Sequence, residues 1–264
     1  MIPVQRHERL LQLLRQDGVR STRSLTDALG VSHMTVRRDI ARLEADGLVE
    51  SVAGGVRLAT DAGQQPPSPR RQRSGLELGR KHAIAERAVE LVEDGMAVYL
   101  DAGTTCEAMV PLLARRRGLT VVTNDFWSVI ALLDHPEIET IHIGGRVDAE
   151  SASSCGALST RVLDAIRIDV FFLSAGAWSV SAGGTAPSED KLELKRRVRE
   201  VSRRTALLAD STKFGASAHY RVFDLGELDV LITDDGLATD ARTQVEETGT
   251  DLWLARVAED EARR

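Results

Sequence analysis

The sequence predicts two folding units of different class: a small N-terminal unit of three helices and a hairpin, and a larger α/β unit with a mostly parallel sheet. Helical apolar periodicity interrupted by glycine turns fills residues 1–59. Short apolar strands alternate with helical segments over residues 80–264. A length of 264 residues, of which 42% are hydrophobic, is sufficient for two separate cores.

Composition excludes several classes of protein. No apolar run approaches the roughly 18 residues of a transmembrane helix, and residues 1–9 lack the apolar stretch of a secretory signal, so we expect a cytoplasmic protein. Cys106, Cys155 and six scattered histidines predict no disulfide framework, no metal site and no cofactor. The net charge of -6 conceals a division, because residues 1–82 carry 14 basic and 9 acidic side chains. The positive balance of residues 1–82 indicates that only this part of the chain contacts a polyanion.

Three helices are predicted in the N-terminal unit. Leucines at helical spacing indicate a first helix over about Val4–Gln16. Thr22 is expected to cap a second helix that runs to Leu29, and Gly30 supplies a tight turn. Ser32 is expected to cap a third helix that ends near Asp46, before Gly47. Three helices with a glycine turn between the second and third follow the order of a helix-turn-helix.

The third helix has two distinct faces. Its apolar positions are predicted to face the core: Val36, Ile40 and Leu43. Its outward face then carries Met34, Thr35, Arg37, Arg38 and Arg42. Arginine offers a bidentate fork for guanine or phosphate, so this face is suited to the major groove of DNA. Alternatively, Arg37 and Arg38 are solvated charges that pair with Asp39 or Glu44.

A short hairpin is predicted after the third helix, where Leu48–Ser51 and Val56–Leu58 flank Ala53-Gly54-Gly55. The segment Leu29–Ile40, with Leu43-Glu44 and Gly47-Leu48, resembles the winged helix-turn-helix of the DeoR family of bacterial transcription regulators. The family commonly has a histidine before the paired glycines, where this chain has Ala53. The resemblance implies that the helix enters the major groove and that the DNA-binding residues are Ser32, His33, Thr35, Arg37 and Arg38.

Residues 60–79 are predicted to form a linker between domains 1–59 and 80–264. The stretch contains three of the seven prolines and almost no apolar residue. Its arginines are either solvated spacer charges or additional phosphate contacts beside the DNA-binding unit: Arg70, Arg71 and Arg73.

Six apolar strands are predicted in the larger unit: Ala97–Leu100, Leu119–Thr123, Thr140–Ile143, Val170–Leu173, Ala206–Ala209 and Val230–Thr233. Polar or glycine-rich segments follow five of these strands directly: Asp101–Thr105, Asn124-Asp125, Gly144–Arg146, Ser174–Gly176 and Asp210–Lys213. Ligands of open α/β sheets bind at the carboxyl ends of the strands. The sequence therefore predicts a small-molecule pocket at this edge.

Gly103-Thr104-Thr105 opens a predicted helix through Ala114, so its N–H and O–H groups can bind an anion such as phosphate. Alternatively, one of the threonines caps that helix. Lys213 is one of only four lysines among 34 basic residues, and we interpret its retention as a need for a compact ammonium. Four acidic residues are either ligands of sugar hydroxyls or ordinary cap and turn residues: Asp101, Asp125, Glu189 and Asp210.

The larger unit is similar to the C-terminal sensor domain of the DeoR family, through Asp101–Thr105, Val121–Asn124, Ile143–Gly145, Gly183–Thr185 and Asp210–Gly215. The resemblance implies the fold of ribose-5-phosphate isomerase and coenzyme A transferases, and an effector that is a phosphorylated sugar. The effector-binding residues it implies are Asp101, Gly103, Thr104, Thr105, Thr123, Asn124, Gly145 and Lys213.

Two functions fit these patterns. The first is a repressor of a carbohydrate operon, without catalytic residues, that binds double-stranded operator DNA as a homodimer or homotetramer and responds to a phosphorylated sugar. The second is a sugar-phosphate isomerase or deaminase, in which Asp101 or Asp125 moves a proton while Lys213 stabilises an enediolate. An isomerase does not need residues 1–58, so the N-terminal unit favours the regulator.

Overall fold

A computed structural model of the chain describes residues 3–46, 48–58 and 70–258. The predictions made for Gly47 and for the proline-rich stretch 60–69 lie outside these residues. Within the described part of the chain, no helix combines the length and apolarity needed to cross a bilayer.

The N-terminal domain, the head, is a three-helix unit with a small sheet. Its elements are α1 (Pro3–Asp17), β1 (Val19–Arg20), α2 (Thr22–Leu29), α3 (His33–Ala45), β2 (Val49–Val52) and β3 (Gly55–Leu58). The helices and the hairpin confirm the predictions, but the cap of α2 was wrong. Ser21, not Thr22, is the cap, because the Ser21 hydroxyl accepts a hydrogen bond of 3.1 Å from the amide of Ser24.

Strand β1 was not predicted, and it pairs antiparallel with β3 to give the order β1-β3-β2. The paired glycines of the hairpin serve different purposes. Gly54 has φ of +92° in the turn, whereas a Cβ on Gly55 would lie 2.3 Å from the carbonyl oxygen of Arg20. The close approach of β1 therefore requires glycine at position 55.

The α/β domain contains α4 (Arg70–Arg73), α5 (Leu78–Ala88), β4 (Ala97–Leu100), α6 (Thr104–Glu107), α7 (Val110–Leu113), β5 (Thr120–Thr123), α8 (Phe126–Leu132), β6 (Glu139–His142), β7 (Arg146–Asp148), β8 (Ser153–Cys155), α9 (Ala157–Val162) and β9 (Ile168–Ser174). It continues with β10 (Trp178–Ser179), β11 (Gly183–Ala186), α10 (Glu189–Glu200), β12 (Ser202–Leu208), β13 (Tyr220–Phe223), β14 (Val230–Asp234), α11 (Thr239–Glu246) and β15 (Asp251–Ala255).

Seven of these strands form one sheet in the order β15-β14-β12-β9-β4-β5-β6, and every pair in it is parallel. Six of the seven correspond to the predicted strands, and β15 was not predicted. Alternate residues contribute to separate cores on the two faces: Tyr99 and Phe171 on one, Val98 and Phe172 on the other. A parallel sheet buried on both faces is the expected α/β architecture.

The order of the strands determines where the polar segments meet. Strands β12, β9, β4 and β5 are immediate neighbours, so the segments after their carboxyl ends lie side by side. Ser174, Asp101 and Asn124 thereby reach one edge of the sheet from three different parts of the chain.

Candidate functional site

The N-terminus of α3 is exposed and well ordered by its cap. The Ser32 hydroxyl accepts a hydrogen bond of 3.2 Å from the Thr35 amide and lies 2.8 Å from the Thr35 hydroxyl. Ser32 and His33 are exposed, and Thr35 is half-buried. A donor-rich helix start of this kind can approach base edges or phosphates without rearrangement.

Arg37 and Arg38 are both exposed, and within the described residues neither makes a hydrogen bond or an ion pair. The acidic partners considered for them are engaged elsewhere. Asp39 binds Arg6 and His7 of α1, and Glu44 accepts a hydrogen bond of 3.0 Å from the Ser51 amide. The interpretation of the two arginines as paired surface charges was therefore wrong.

Asp39 instead holds α3 against α1. Burial raises the pKa of its carboxyl, but hydrogen bonds from Arg6 and His7 outweigh that effect, so the net pKa lies below the ordinary value. The Arg6 Nη2 to Asp39 Oδ1 distance is 3.0 Å, and the His7 Nε2 to Asp39 Oδ1 distance is 2.9 Å. These contacts fix the orientation of the helix that carries the exposed arginines.

Two adjoining cavities open at the carboxyl edge of the large sheet, and both are lined by Arg73, Ser174 and Gly176. The first, the threonine cavity, is also lined by Leu76, Glu77, Lys81, Thr104, Thr105, Ala175, Ala209, Asp210 and Lys213. The second, the serine cavity, is also lined by Asp101, Ala102, Asn124, Ser151, Ser153, Thr185, Pro187, Lys191, Leu194 and Lys195.

Cations dominate the threonine cavity. Lys213 is half-buried, and within the described residues its ammonium makes no hydrogen bond or ion pair. Burial lowers the pKa of Lys81 to about 8, with Lys213 and Arg73 adding to that effect and Asp210 opposing it. Burial raises the pKa of Asp210, but the nearby Lys213 ammonium and a hydrogen bond from Thr212 bring the net value below normal. Three cations therefore line this cavity against the two carboxylates of Glu77 and Asp210, which leaves a net positive charge for an anion.

Backbone and side chain pack closely where β4 leads into α6. A Cβ on Gly103 would lie 2.1 Å from the Ser174 hydroxyl oxygen and 2.7 Å from the Ser174 Cβ, so only glycine fits. The continuous helix predicted to Ala114 was wrong, because α6 and α7 are separate four-residue helices. The expected threonine cap was also wrong: Gly103 occupies the cap position of α6, without a side-chain hydrogen bond.

The serine cavity is lined by a tight polar network around Asp101. The Asp101 carboxylate accepts hydrogen bonds from the amides of Ala102 (2.9 Å) and Ser174 (3.0 Å) and is ion-paired with Lys195. Lys195 also donates to the Ser174 carbonyl at 2.8 Å. Asn124 accepts from the Ala102 amide at 3.1 Å, so Asp101 and Asn124 share one backbone donor.

Three of the proposed effector residues lie outside both cavities: Gly103, described above, Thr123 and Gly145. Thr123 is fully buried, where its hydroxyl donates to the Leu100 carbonyl at 2.7 Å and accepts from the Asp125 amide at 3.0 Å. A Cβ on Gly145 would lie 2.0 Å from the Ser159 hydroxyl, so that glycine permits close packing. Five of the other proposed residues line the cavities: Asp101, Thr104, Thr105, Asn124 and Lys213.

The structure adds cationic residues that we did not predict. All four lysines of the chain line a cavity, Lys81 and Lys213 the threonine cavity and Lys191 and Lys195 the serine cavity. The scarcity of lysine in the sequence, which indicates Lys213, indicates the other three lysines equally.

Arg70 and Arg73 belong to the α/β domain. Arg70 is 4% exposed and ion-paired with Glu107 and Asp125, and Arg73 lines both cavities. Arg70 is therefore neither a solvated spacer charge nor a phosphate contact beside the head, and both interpretations were wrong for this residue.

These features define a class of protein: a winged helix-turn-helix head with exposed arginines on its third helix, joined to a parallel α/β domain with a cationic, polar pocket. Comparison with known families agrees. Residues 6–62 match the DeoR-like helix-turn-helix domain, and residues 77–235 match the DeoR C-terminal sensor domain. The chain belongs to the DeoR family of transcriptional regulators.

Relatives of the chain extend over its whole length. It is 39% identical to an uncharacterised HTH-type transcriptional regulator of Escherichia coli K12, over 97% of this chain and 99% of that protein. It is 29% identical to the glycerol-3-phosphate regulon repressor of Haemophilus influenzae, over 87% of this chain and 89% of that protein. Among solved structures, ribose 5-phosphate isomerase A from Methanocaldococcus jannaschii matches 51% of this chain and 53% of that chain, at 18% identity and a TM-score of 0.38.

Proposed function

We propose that the chain is a repressor that binds an operator through its head and changes its operator affinity when a phosphorylated sugar binds the α/β domain. The observation that carries the proposal is the lining of the threonine cavity, which combines Lys81, Arg73 and Lys213 with Thr104 and Thr105. Within the described residues, the Lys213 ammonium makes no hydrogen bond or ion pair. DNA binding by the head does not require a cavity in the α/β domain, whereas regulation of DNA binding by a small anion does.

The head presents α3 to the major groove in this proposal. Ser32, His33 and Thr35 lie at the start of the helix, where side chains and amides contact base edges and phosphates. No carboxylate among the described residues pairs with Arg37 or Arg38, so each is available to a phosphate or a guanine.

Each of the two cavities binds a different part of the ligand. The phosphate lies in the threonine cavity, because a dianion there offsets the like charges of Lys81, Arg73 and Lys213. The sugar hydroxyls lie in the serine cavity, where Asn124, Ser151 and Ser153 offer neutral hydrogen-bonding groups. The two cavities share Arg73, Ser174 and Gly176 in their linings, so one small ligand can contact both.

Two further observations support the ligand class and argue against catalysis. One relative at 29% identity is named as a repressor of a glycerol-3-phosphate regulon. Asp101 is held by two amides and Lys195, and Asp125 lies outside both cavities, so neither carboxylate is free to move a proton.

A second copy of the chain is the proposed partner, because one head makes too few contacts for tight operator binding. Trp127 and Ile130 of α8 and Leu133, the residue that caps its C-terminus, follow at intervals of three and are 46%, 54% and 74% exposed. A contiguous apolar face of this kind marks an interaction surface, and we assign it to the homo-oligomer. Sedimentation of Ile130→Asp should show smaller particles than wild type, and an unchanged mass would exclude this face.

The test of the function combines two binding measurements on the full chain. Duplex DNA selected from a random pool serves as the operator, and melting temperatures are measured with glycerol 3-phosphate, ribose 5-phosphate, glucose 6-phosphate and fructose 1-phosphate. A ligand that binds the native state raises the melting temperature, and it should also change operator affinity. Lys213→Ala should bind the operator normally but show neither effect, whereas the exposed control Arg117→Ala should behave as wild type. A regulator that binds DNA but responds to no sugar phosphate would contradict the ligand assignment.

A further inference from the structure

The segment through which the chain enters the α/β domain is anchored at its first residue. Arg70 forms an ion pair with Glu107 of α6, and its Nη1 lies 3.3 Å from Asp125 Oδ1. Its amide donates to the Glu150 carbonyl at 3.2 Å, and its guanidinium lies 5.8 Å from the centre of the Trp127 ring. Arg70 is therefore fixed to three separate parts of the domain.

The other end of this segment is anchored by a second cation. The Lys81 ammonium on α5 donates to the carbonyl oxygens of Arg73 and Leu76. Between the two anchors, the Ser74 amide donates to the Arg70 carbonyl at 2.9 Å, so the short α4 is closed at its C-terminal end. We call residues 70–77 the docking segment.

The docking segment is also a wall of the pocket. Arg73 lines both cavities, and Leu76 and Glu77 line the threonine cavity. Arg70 lines neither cavity, so it anchors the segment without reaching the ligand site. In the sequence, this segment follows β3 of the head by eleven residues.

Like charges oppose this docked arrangement. Burial lowers the pKa of Arg73 and the nearby Arg70 cation lowers it further, although the carboxylates of Asp125, Glu150 and Asp101 oppose this shift. Arg73 and Lys213 in turn add to the lowering of the Lys81 pKa to about 8. A phosphate among these groups replaces repulsion with attraction, so it binds more tightly when Arg73 is docked than when it is not. Such a difference in affinity is what allows a ligand to shift a conformational equilibrium.

We propose that the docking segment transmits ligand occupancy to the head: the ligand contacts Arg73, stabilises residues 70–77 against the α/β domain, and thereby restrains the chain that leads to the operator-binding head. The inference rests on the proposed function, since it requires an anionic ligand in the threonine cavity. It adds a binding residue, Arg73, that comes from the predicted linker rather than from the sheet edge. It also separates ligand binding, through Lys213, from signal transmission, through Arg70.

The experiment uses the full chain and the sugar phosphate of the panel that gives wild type the largest rise in melting temperature. Arg70→Ala should retain at least half of that rise through Lys213 and Lys81, and should lose the part that a docked Arg73 contributes. The ratio of operator dissociation constants with and without the ligand should fall to within about twofold of one. Arg71→Ala, which removes an exposed arginine of the same helix, should keep the wild-type ratio. Glu107→Gln removes the carboxylate that pairs with Arg70, and it replaces Arg70→Ala in this experiment if that variant fails to fold.

Hydrogen exchange distinguishes the possible outcomes. In wild type, the ligand should slow exchange of the amides in residues 70–77 at least threefold, and Arg70→Ala should lose this protection. A variant with a normal melting shift and a wild-type operator ratio would overturn the inference while leaving the proposed function intact. A wild-type chain whose melting temperature responds to no member of the panel would overturn the ligand class, and the inference with it.

Discussion

The head and the α/β domain use cations in different ways. Arg37 and Arg38 of the head are exposed and unpaired within the described residues. In the α/β domain all four lysines line cavities, and Lys195 is ion-paired with Asp101. Planar guanidinium groups on an open helix suit an extended polyanion, whereas enclosed ammonium groups suit one small anion. The placement of the cations, more than the net charge of either domain, separates the two proposed binding sites.

The largest expected effect comes from removing both exposed arginines of the head. Arg37→Ala combined with Arg38→Ala should weaken operator binding by about 2–6 kcal/mol, since each arginine contact contributes roughly 1–3 kcal/mol. Fluorescence anisotropy at a series of salt concentrations should also give a shallower salt dependence, because fewer counterions are released.

The same double variant also tests whether ligand binding by the α/β domain is independent of the head. Its melting response to sugar phosphates should equal that of wild type, because neither arginine reaches the α/β cavities. Arg117→Ala, an exposed arginine ion-paired with Asp94, controls for the loss of surface charge. Operator affinity within twofold of wild type at matched salt would contradict the assignment of α3 as the recognition helix.

An intermediate effect is expected from two glycines that are required for different reasons. Gly103→Ala places a Cβ 2.1 Å from the Ser174 hydroxyl, and overpacking of this kind costs about 1–3 kcal/mol. Gly54→Ala meets no atom within 4 Å, so only its φ of +92° is strained, at a cost of about 1 kcal/mol.

Thermal unfolding and ligand titration separate the two cases. Gly103→Ala should lose the sugar-phosphate response, whereas Gly54→Ala should keep it. Ser174→Gly in the Gly103→Ala background removes the clashing atoms and should restore most of the lost stability. Failure of this rescue would show that Gly103 is required for something other than the close approach of Ser174.

Local patterns predicted most of the fold because the physics behind them is local. The cap at Ser32, the glycine turn at Gly30 and the alternating apolar strands each depend on residues within a few positions. Strand β15 was not predicted, because its burial depends on parallel pairing with β14 rather than on its own composition. Strand β1 has two residues, and only its contact with β3 makes it a strand.

The site was harder to predict, because its residues meet through tertiary contacts. Lys195 lies on α10, 94 positions from its partner Asp101. The sequence of a helix does not determine which distant loop its charged side chains contact. Arg70 follows a proline-rich stretch whose composition is that of a solvated linker. Its side chain is nevertheless buried and ion-paired with Glu107 and Asp125. Thr123 follows the strand pattern correctly, but its side chain bonds the neighbouring backbone instead of facing the cavity.

The smallest expected effect compares two buried carboxylates, one in each domain. In the head, Asp39 accepts hydrogen bonds from Arg6 and His7, and its pKa lies below normal although burial opposes this. In the α/β domain, burial raises the pKa of Asp125 to about 6, although Arg70 and the Ser128 hydrogen bonds oppose it. Both groups are aspartates inside a core, so the difference lies in how well each charge is compensated.

The two carboxylates predict different responses to pH. Because the pKa of Asp125 is raised in the folded state to about 6, the native chain binds more protons than the unfolded chain between about pH 4 and pH 6. Stability from this group therefore falls as the pH rises through that window, by about 1 kcal/mol between pH 5 and pH 7. Asp39 has a lowered pKa and is ionised in both states above about pH 5, so it contributes no slope there.

Asp125→Asn should remove this slope while keeping the shape of the side chain. The difference in melting temperature between pH 5 and pH 7 should then be smaller than in wild type by about 2–4 °C. Asp39→Asn should lower stability at both pH values and leave the difference unchanged, because it removes a charge that is already ionised at pH 5. The exposed Asp134→Asn serves as the control for a lost surface charge. If Asp125→Asn keeps the wild-type difference, the carboxyl is already ionised at pH 5, and Arg70 compensates it as fully as Arg6 and His7 compensate Asp39.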